Sequence, residues 1–110
     1  MAQEIISLVA TVLANAADQL IGELTISDKE KVTVLEVGFE FTGAGRIDGF
    51  IRQRRIDSVD EFIFPDENHR VVKSIPMVGG DRYSFFGTDT SGAPNVMGVL
   101  LVVDRVIEGF

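Results

Sequence analysis

The side chains able to do chemistry are few and scattered along the chain. Glu36 and Glu40 share one face of an alternating stretch. Two carboxyl groups facing each other across a cleft can hydrolyse a glycoside, but this spacing along a strand sets them about 14 Å apart, too far for a retaining pair. Asp57, Asp60, Glu61, Asp66 and Glu67 crowd one segment around Phe62-Ile63-Phe64. Carboxylate oxygens of that kind ligate hard cations, yet the EF-hand spacing is absent and a solvated loop accounts for the same residues. Asp89-Thr90-Ser91-Gly92 is a second such run, built from residues that turns recruit for backbone reasons alone. His69 is the single histidine. A multi-histidine metal site is therefore excluded, and a Ser-His-Asp arrangement would have to use this residue without a Gly-x-Ser-x-Gly elbow. The chain has no cysteine, which removes disulfides, thiol nucleophiles and Cys-based zinc sites. The expectation is a protein that is not an enzyme and needs no cofactor.

Two further groups bear on binding. Arg52-Gln53-Arg54-Arg55 concentrates guanidinium groups able to grip phosphate or carboxylate. In a chain of net charge −7 their expected use is pairing with acidic residues, within or between subunits; edge protection and a nucleic-acid contact are the other readings. That negative balance argues against general nucleic-acid binding, which needs a basic footprint, and against anionic membrane surfaces. Tyr83, Phe85 and Phe86 could stack on a sugar, but with no Trp and one Tyr in the chain core packing is the expected role.

The elements that must position these residues read as strands. With 110 residues, 45% of them hydrophobic, the chain fits one domain with a real core. Ile5 to Leu13 is apolar, but the first basic residue is Lys29, so a secretory signal is not expected. Ser7, Thr11 and Asn15 break it too early for a bilayer span. Ile5, Leu8, Val9, Val12, Leu13 and Ala16 fit a helical stripe. The same stretch also fits a strand reversing at Asn15-Ala16-Ala17-Asp18, which we prefer because everything after it reads as β.

Leu20 to Ile26 is predicted as a strand with Leu20, Gly22, Leu24 and Ile26 on one face. Val32 to Thr42 follows, with Leu35, Val37, Phe39 and Phe41 at period two and a phase shift between Val34 and Leu35 that marks a bulge or a start apolar on both sides. Arg46 to Ile56 reads as one strand, residues 57–68 as the longest irregular region, and Arg70 to Val78 as an edge strand because Pro76 cannot donate to a ladder. Gly79-Gly80-Asp81 is a turn, Arg82 to Gly87 a strand, and residues 88–95 a polar loop. The last strand, Val96 to Val106, contains Val96-Met97-Gly98-Val99-Leu100-Leu101-Val102-Val103, which is apolar on both faces. A half-exposed strand alternates, and a sandwich covers one face of each strand; the other face calls for cover from the chain or from a neighbouring subunit. The fold class is all-β: a single antiparallel β-sandwich over 1–110, jelly-roll-like, with seven or eight strands.

Ala16 to Phe41, then Gly80-Asp81-Arg82-Tyr83-Ser84-Phe85, the Thr/Ser-rich Thr88 to Asn95 and Val99-Leu100-Leu101-Val102 resemble the strand–turn grammar of small jelly-roll capsid, decoration or spike proteins of prokaryotic viruses. The resemblance spans about half the chain and carries over no functional residue. It implies a structural role in a virion, with copies of the chain itself and other virion proteins as partners. The candidate subunit interface is Leu8, Val12, Arg52, Arg54, Leu100, Val102, Ile107 and Phe110. The alternative is a carbohydrate- or protein-binding sandwich using loops 57–69 and 88–95.

Overall fold

The computed structural model describes residues 2–60 and 69–107. These form eight strands: β1 (Ala2–Val12), β2 (Gln19–Thr25), β3 (Glu30–Phe41), β4 (Gly45–Ile51), β5 (Arg54–Asp60), β6 (His69–Val78), β7 (Arg82–Asp89) and β8 (Asn95–Ile107). One sheet runs β1-β8-β3-β6 and the other β2-β7-β4-β5. The ladders pair β1 with β8, β2 with β7, β3 with β6 and β4 with β5, all antiparallel. This is the pairing of one long hairpin folded over on itself, closed by β3–β8 and β4–β7 ladders. The strand order is that of a jelly roll.

The local reasons are readable strand by strand. Residues 2–12 form a strand and not a helix, and their outer neighbour is open, so β1 is an edge. The register of β3 against both β6 and β8 shifts between Val34 and Glu36, so the phase break in the sequence is a bulge. It lets Val32 and Val34 face the core before it and Val37 and Phe39 after it. Pro76 sits on the edge strand β6, opposite Thr33. Between the sheets, the stacked rings of Tyr83 and Phe85 lie 4.4 Å apart, and Phe39 meets Phe85 edge-on at 6.4 Å. These aromatics are core, with no exposed surface on Tyr83 or Phe85.

The sequence reading needs three corrections. Arg46 to Ile56 is not one strand: it turns back at Arg52 and Gln53, both with positive φ (50° and 64°), giving a two-residue hairpin of the type usually made by Asn-Gly. Asp57 and Asp60, expected in an irregular region, belong to β5. In β2 the register shifts between Leu20 and Gly22. Ile21 is therefore buried and Leu20 exposed, the reverse of a regular alternation from Leu20.

Candidate assembly surface

In β1 the side chains alternate, and Val12 is fully buried, which turns Ile5, Ser7, Val9 and Thr11 outward. In β8, Met97, Val99, Leu101 and Val103 fill the core, which turns Gly98, Leu100 and Val102 outward. The register sets these outward residues side by side: Ile5 opposite Val102, Ser7 opposite Leu100, Val9 opposite Gly98. Glu36 and Val72 extend the Ile5–Val102 row across β3 and β6. Ile5 is 72% exposed, Val9 60% and Val72 80%. Single exposed apolar side chains are normal, whereas neighbouring ones on a flat sheet mark an interaction surface.

Beside this strip lies a depression of about 270 Å³ lined by Val9, Glu40, Phe41, Thr42, Val96 and Gly98. Gly98 forms part of its floor. A Cβ added there would meet Val9 and the Glu40 carboxylate at 3.6 Å, ordinary van der Waals contact, so packing within the chain does not demand a glycine.

Of the residues singled out from the sequence, Leu100 and Val102 lie together on this surface. Leu8 points inward and is half-buried, and Val12 is sealed in the core; in the isolated fold Val12 has no surface to offer a partner. Arg52 and Arg54 stand at the β4–β5 turn of the other sheet. Ile107 ends β8, and Phe110 lies outside the described residues. The sequence reading missed Ile5, Val9 and Val72. Both alternating sets of β1 are largely apolar, so period two alone does not say which set faces out; only the register with β8 decides.

The basic cluster divides. Arg52 grips Asp81 through two bonds, Nε to Oδ1 at 2.9 Å and Nη2 to Oδ2 at 2.7 Å, and the Val78 backbone N–H donates to the same carboxylate at 3.0 Å. The guanidinium, with the backbone bond, holds the Asp81 carboxyl below its usual range. Arg52 thus pairs with the β6–β7 turn. Arg54 and Arg55 are exposed and make no ion pair among the described residues.

The opposite end of the sandwich is held by a polar network. The Asp89 carboxylate accepts from Ser91 Oγ at 2.6 Å and from the N–H groups of Asn15 at 2.9 Å, Ser91 at 3.1 Å and Gly92 at 3.1 Å. These donors, Ser91 foremost, hold its pKa well below the normal carboxylate range. Fully buried Asn95 accepts from the N–H groups of Thr42 and Gly43, both at 3.2 Å, and donates to Ala44 O at 3.0 Å and Asp89 Oδ1 at 3.2 Å. Two residues thereby tie the β1–β2, β3–β4 and β7–β8 connections together. The Asp89 carboxylate of the Asp89-Thr90-Ser91-Gly92 run is thus occupied by donors from its own turn and from Asn15 and Asn95. Among the described residues no group of three or more His, Asp or Glu is placed to hold a metal.

A second buried polar cluster crosses between the sheets: Asp57 accepts from the Tyr83 hydroxyl and pairs with Lys73. Burial, reinforced by the Asp57 carboxylate, pushes the Tyr83 phenol far above its usual range, so it stays a proton donor. The His69 side chain and residues 61–68 of the acidic segment lie outside what the structure describes.

Compared by sequence, the chain matches no protein-family model and no curated protein. Compared by structure, it is similar end to end to a chain of the capsid of Helicobacter pylori bacteriophage KHP30, with a TM-score of 0.53, 11% identity, and coverage of 96% of this chain and 98% of that one. It also aligns with the nucleoplasmin-like N-terminal domain of Drosophila FKBP39, with a TM-score of 0.48, 13% identity, and coverage of 98% and 94%. At these identities the likeness is one of fold. Among the described residues no helix is long and apolar enough to cross a membrane.

Proposed function

We propose that this protein is a self-assembling structural subunit, a viral capsid or capsid-associated protein, whose copies meet through the outer face of β1 and β8. The observation that carries the reading is the apolar strip of Ile5, Val9, Leu100 and Val102 on a sheet whose inner face is already filled. Burying such a strip against a second copy removes apolar surface from water at about 25 cal/mol per Å². The end-to-end likeness of fold to a phage capsid chain supports this reading. The partners it names are copies of the chain and other virion proteins, its location is the virion, and it assigns no catalysis.

Light scattering behind a sizing column, followed by negative-stain microscopy, tests it. Trimers, rings or shells are expected, and Leu100→Glu should return them to monomers with an unchanged far-UV spectrum. Gly98→Ala should fold normally and weaken association by altering the depression. A clean monomer at micromolar concentration, or normal assembly by the Leu100→Glu protein, would overturn the reading.

A further inference from the structure

The outer face of the second sheet holds a cleft of about 530 Å³ at the β4–β5 turn, lined by Phe50, Phe86, Gln53, Arg82, Ser84 and Glu23 among others. That volume lies within the range of small-molecule sites. We propose that it binds a carboxylated sugar, such as a uronic or sialic acid residue of a glycan.

Four observations select that ligand. First, Arg82 makes no ion pair among the described residues, in a chain with ten basic against seventeen acidic residues. A guanidinium left open in a cleft is matched by a planar carboxylate. Second, Phe50 and Phe86 meet edge-to-face at 5.6 Å and offer the apolar wall that the C–H face of a sugar ring needs. Third, the remaining polar groups suit hydroxyls, which both donate and accept. Glu23 accepts from Ser84 Oγ at 2.8 Å through one oxygen, leaving the other for a ligand hydroxyl, and the Gln53 amide can do either.

Fourth, the cleft lies over β7 and β4, each flanked by strands on both sides. Their backbone groups are already in ladders, so a peptide cannot add here as a strand and recognition must come from side chains. The cleft is also preformed. Two of the four non-glycine residues at positive φ, Arg52 and Gln53, stand at its rim, where the Arg52–Asp81 fork holds the turn. Backbone strain concentrates at functional sites.

The test is independent of assembly. Titrating the full chain with methyl glucuronide and with N-acetylneuraminic acid, followed by NMR chemical shifts, should move resonances of Arg82, Gln53 and Ser84, while methyl glucoside binds at least about tenfold more weakly. Arg82→Gln should reduce affinity for both acids by about tenfold or more and abolish the preference over methyl glucoside. Phe86→Leu, which keeps the bulk and loses the ring, should weaken all sugars alike. Thr90→Ala, in the β7–β8 loop at the opposite end of the sandwich, should change nothing. Equal binding of acid and neutral sugars, acid binding that survives Arg82→Gln, no response at millimolar sugar, or displacement of shifts by a short acidic peptide alone would each overturn the proposal.

Discussion

The two outer faces of this sandwich are made from the same strand periodicity and present opposite surfaces. The β1-β8-β3-β6 face is an apolar strip with one shallow depression, interrupted by Glu36 and Glu40. The β2-β7-β4-β5 face is a charged cleft braced by a guanidinium–carboxylate fork. The difference follows from what stands at alternate positions: Val, Ile and Leu in β1 and β8, but Glu23, Ser84 and Arg82 in β2 and β7. A flat apolar face matches a protein surface, where area is the currency of affinity. A cleft with directional donors matches a small polar ligand. One fold can therefore associate with its own kind through one face and keep the other open.

Several substitutions break or sharpen that contrast. The largest effect should come from the frame that both faces share. Asn95→Ala takes away the partner of the Gly43 N–H and the bonds that Asn95 donates to Ala44 O and Asp89 from a fully buried site and should destabilise the fold by about 3 kcal/mol, seen as a lower urea midpoint; an unchanged midpoint would deny the network its role.

Next comes a matched pair, one exposed aliphatic residue on each face. Val9→Lys should weaken self-association by about 2 kcal/mol, roughly thirtyfold, whereas Leu20→Lys, also at an exposed apolar position, should leave it intact. Equal effects in sedimentation would erase the distinction between the faces.

Acid should then separate the regions. Asp81 and Asp89 have folded-state pKa values below their unfolded ones. The stability they contribute is present above the unfolded value of about 3.9 and is lost as pH falls below it. Amide exchange at falling pH should therefore lose protection first in residues 52–55 and 79–82 and in the 89–95 loop, and last in the middle of β8. Uniform loss would count against the assignment.

Smallest is Gln53→Gly. It relieves a positive φ of 64° and should raise stability by up to about 1 kcal/mol, visible as a small rise in melting temperature with association unchanged.

Much of the architecture was legible because its signals are local. The bulge in β3 shows as a phase break at Val34–Leu35, and the edge position of β6 as Pro76. What escaped depends on contacts distant in sequence. Nothing in Arg52-Gln53 announces a hairpin, because neither residue favours positive φ; the turn is held by Asp81, in another connection. Asn95 reads as one more loop residue until the fold brings Thr42–Ala44 and Asp89 around it. The outward set of β1 was ambiguous for the same reason, since Ile5 and Val9 are told apart from Ile6 and Leu8 only by their register with β8. The candidate surface was thus half legible, through Leu100 and Val102.

The ladder of β1 also has a consequence in time. Among the described residues its one hydrogen-bonded neighbour strand is β8, with Ala2 opposite Arg105. During synthesis the first strand of this chain therefore emerges long before the strand that completes it, and β3 waits likewise for one of its flanks. Of the ladders, β4–β5 alone joins strands consecutive in the chain; β3–β6, β2–β7 and β4–β7 must wait for later strands. Pairings of such long range make folding slow, and until β8 arrives the apolar segments of β1 are open to other chains. The nascent chain thus passes through a period in which the right partner for β1, strand β8, competes with exposed strands of other copies.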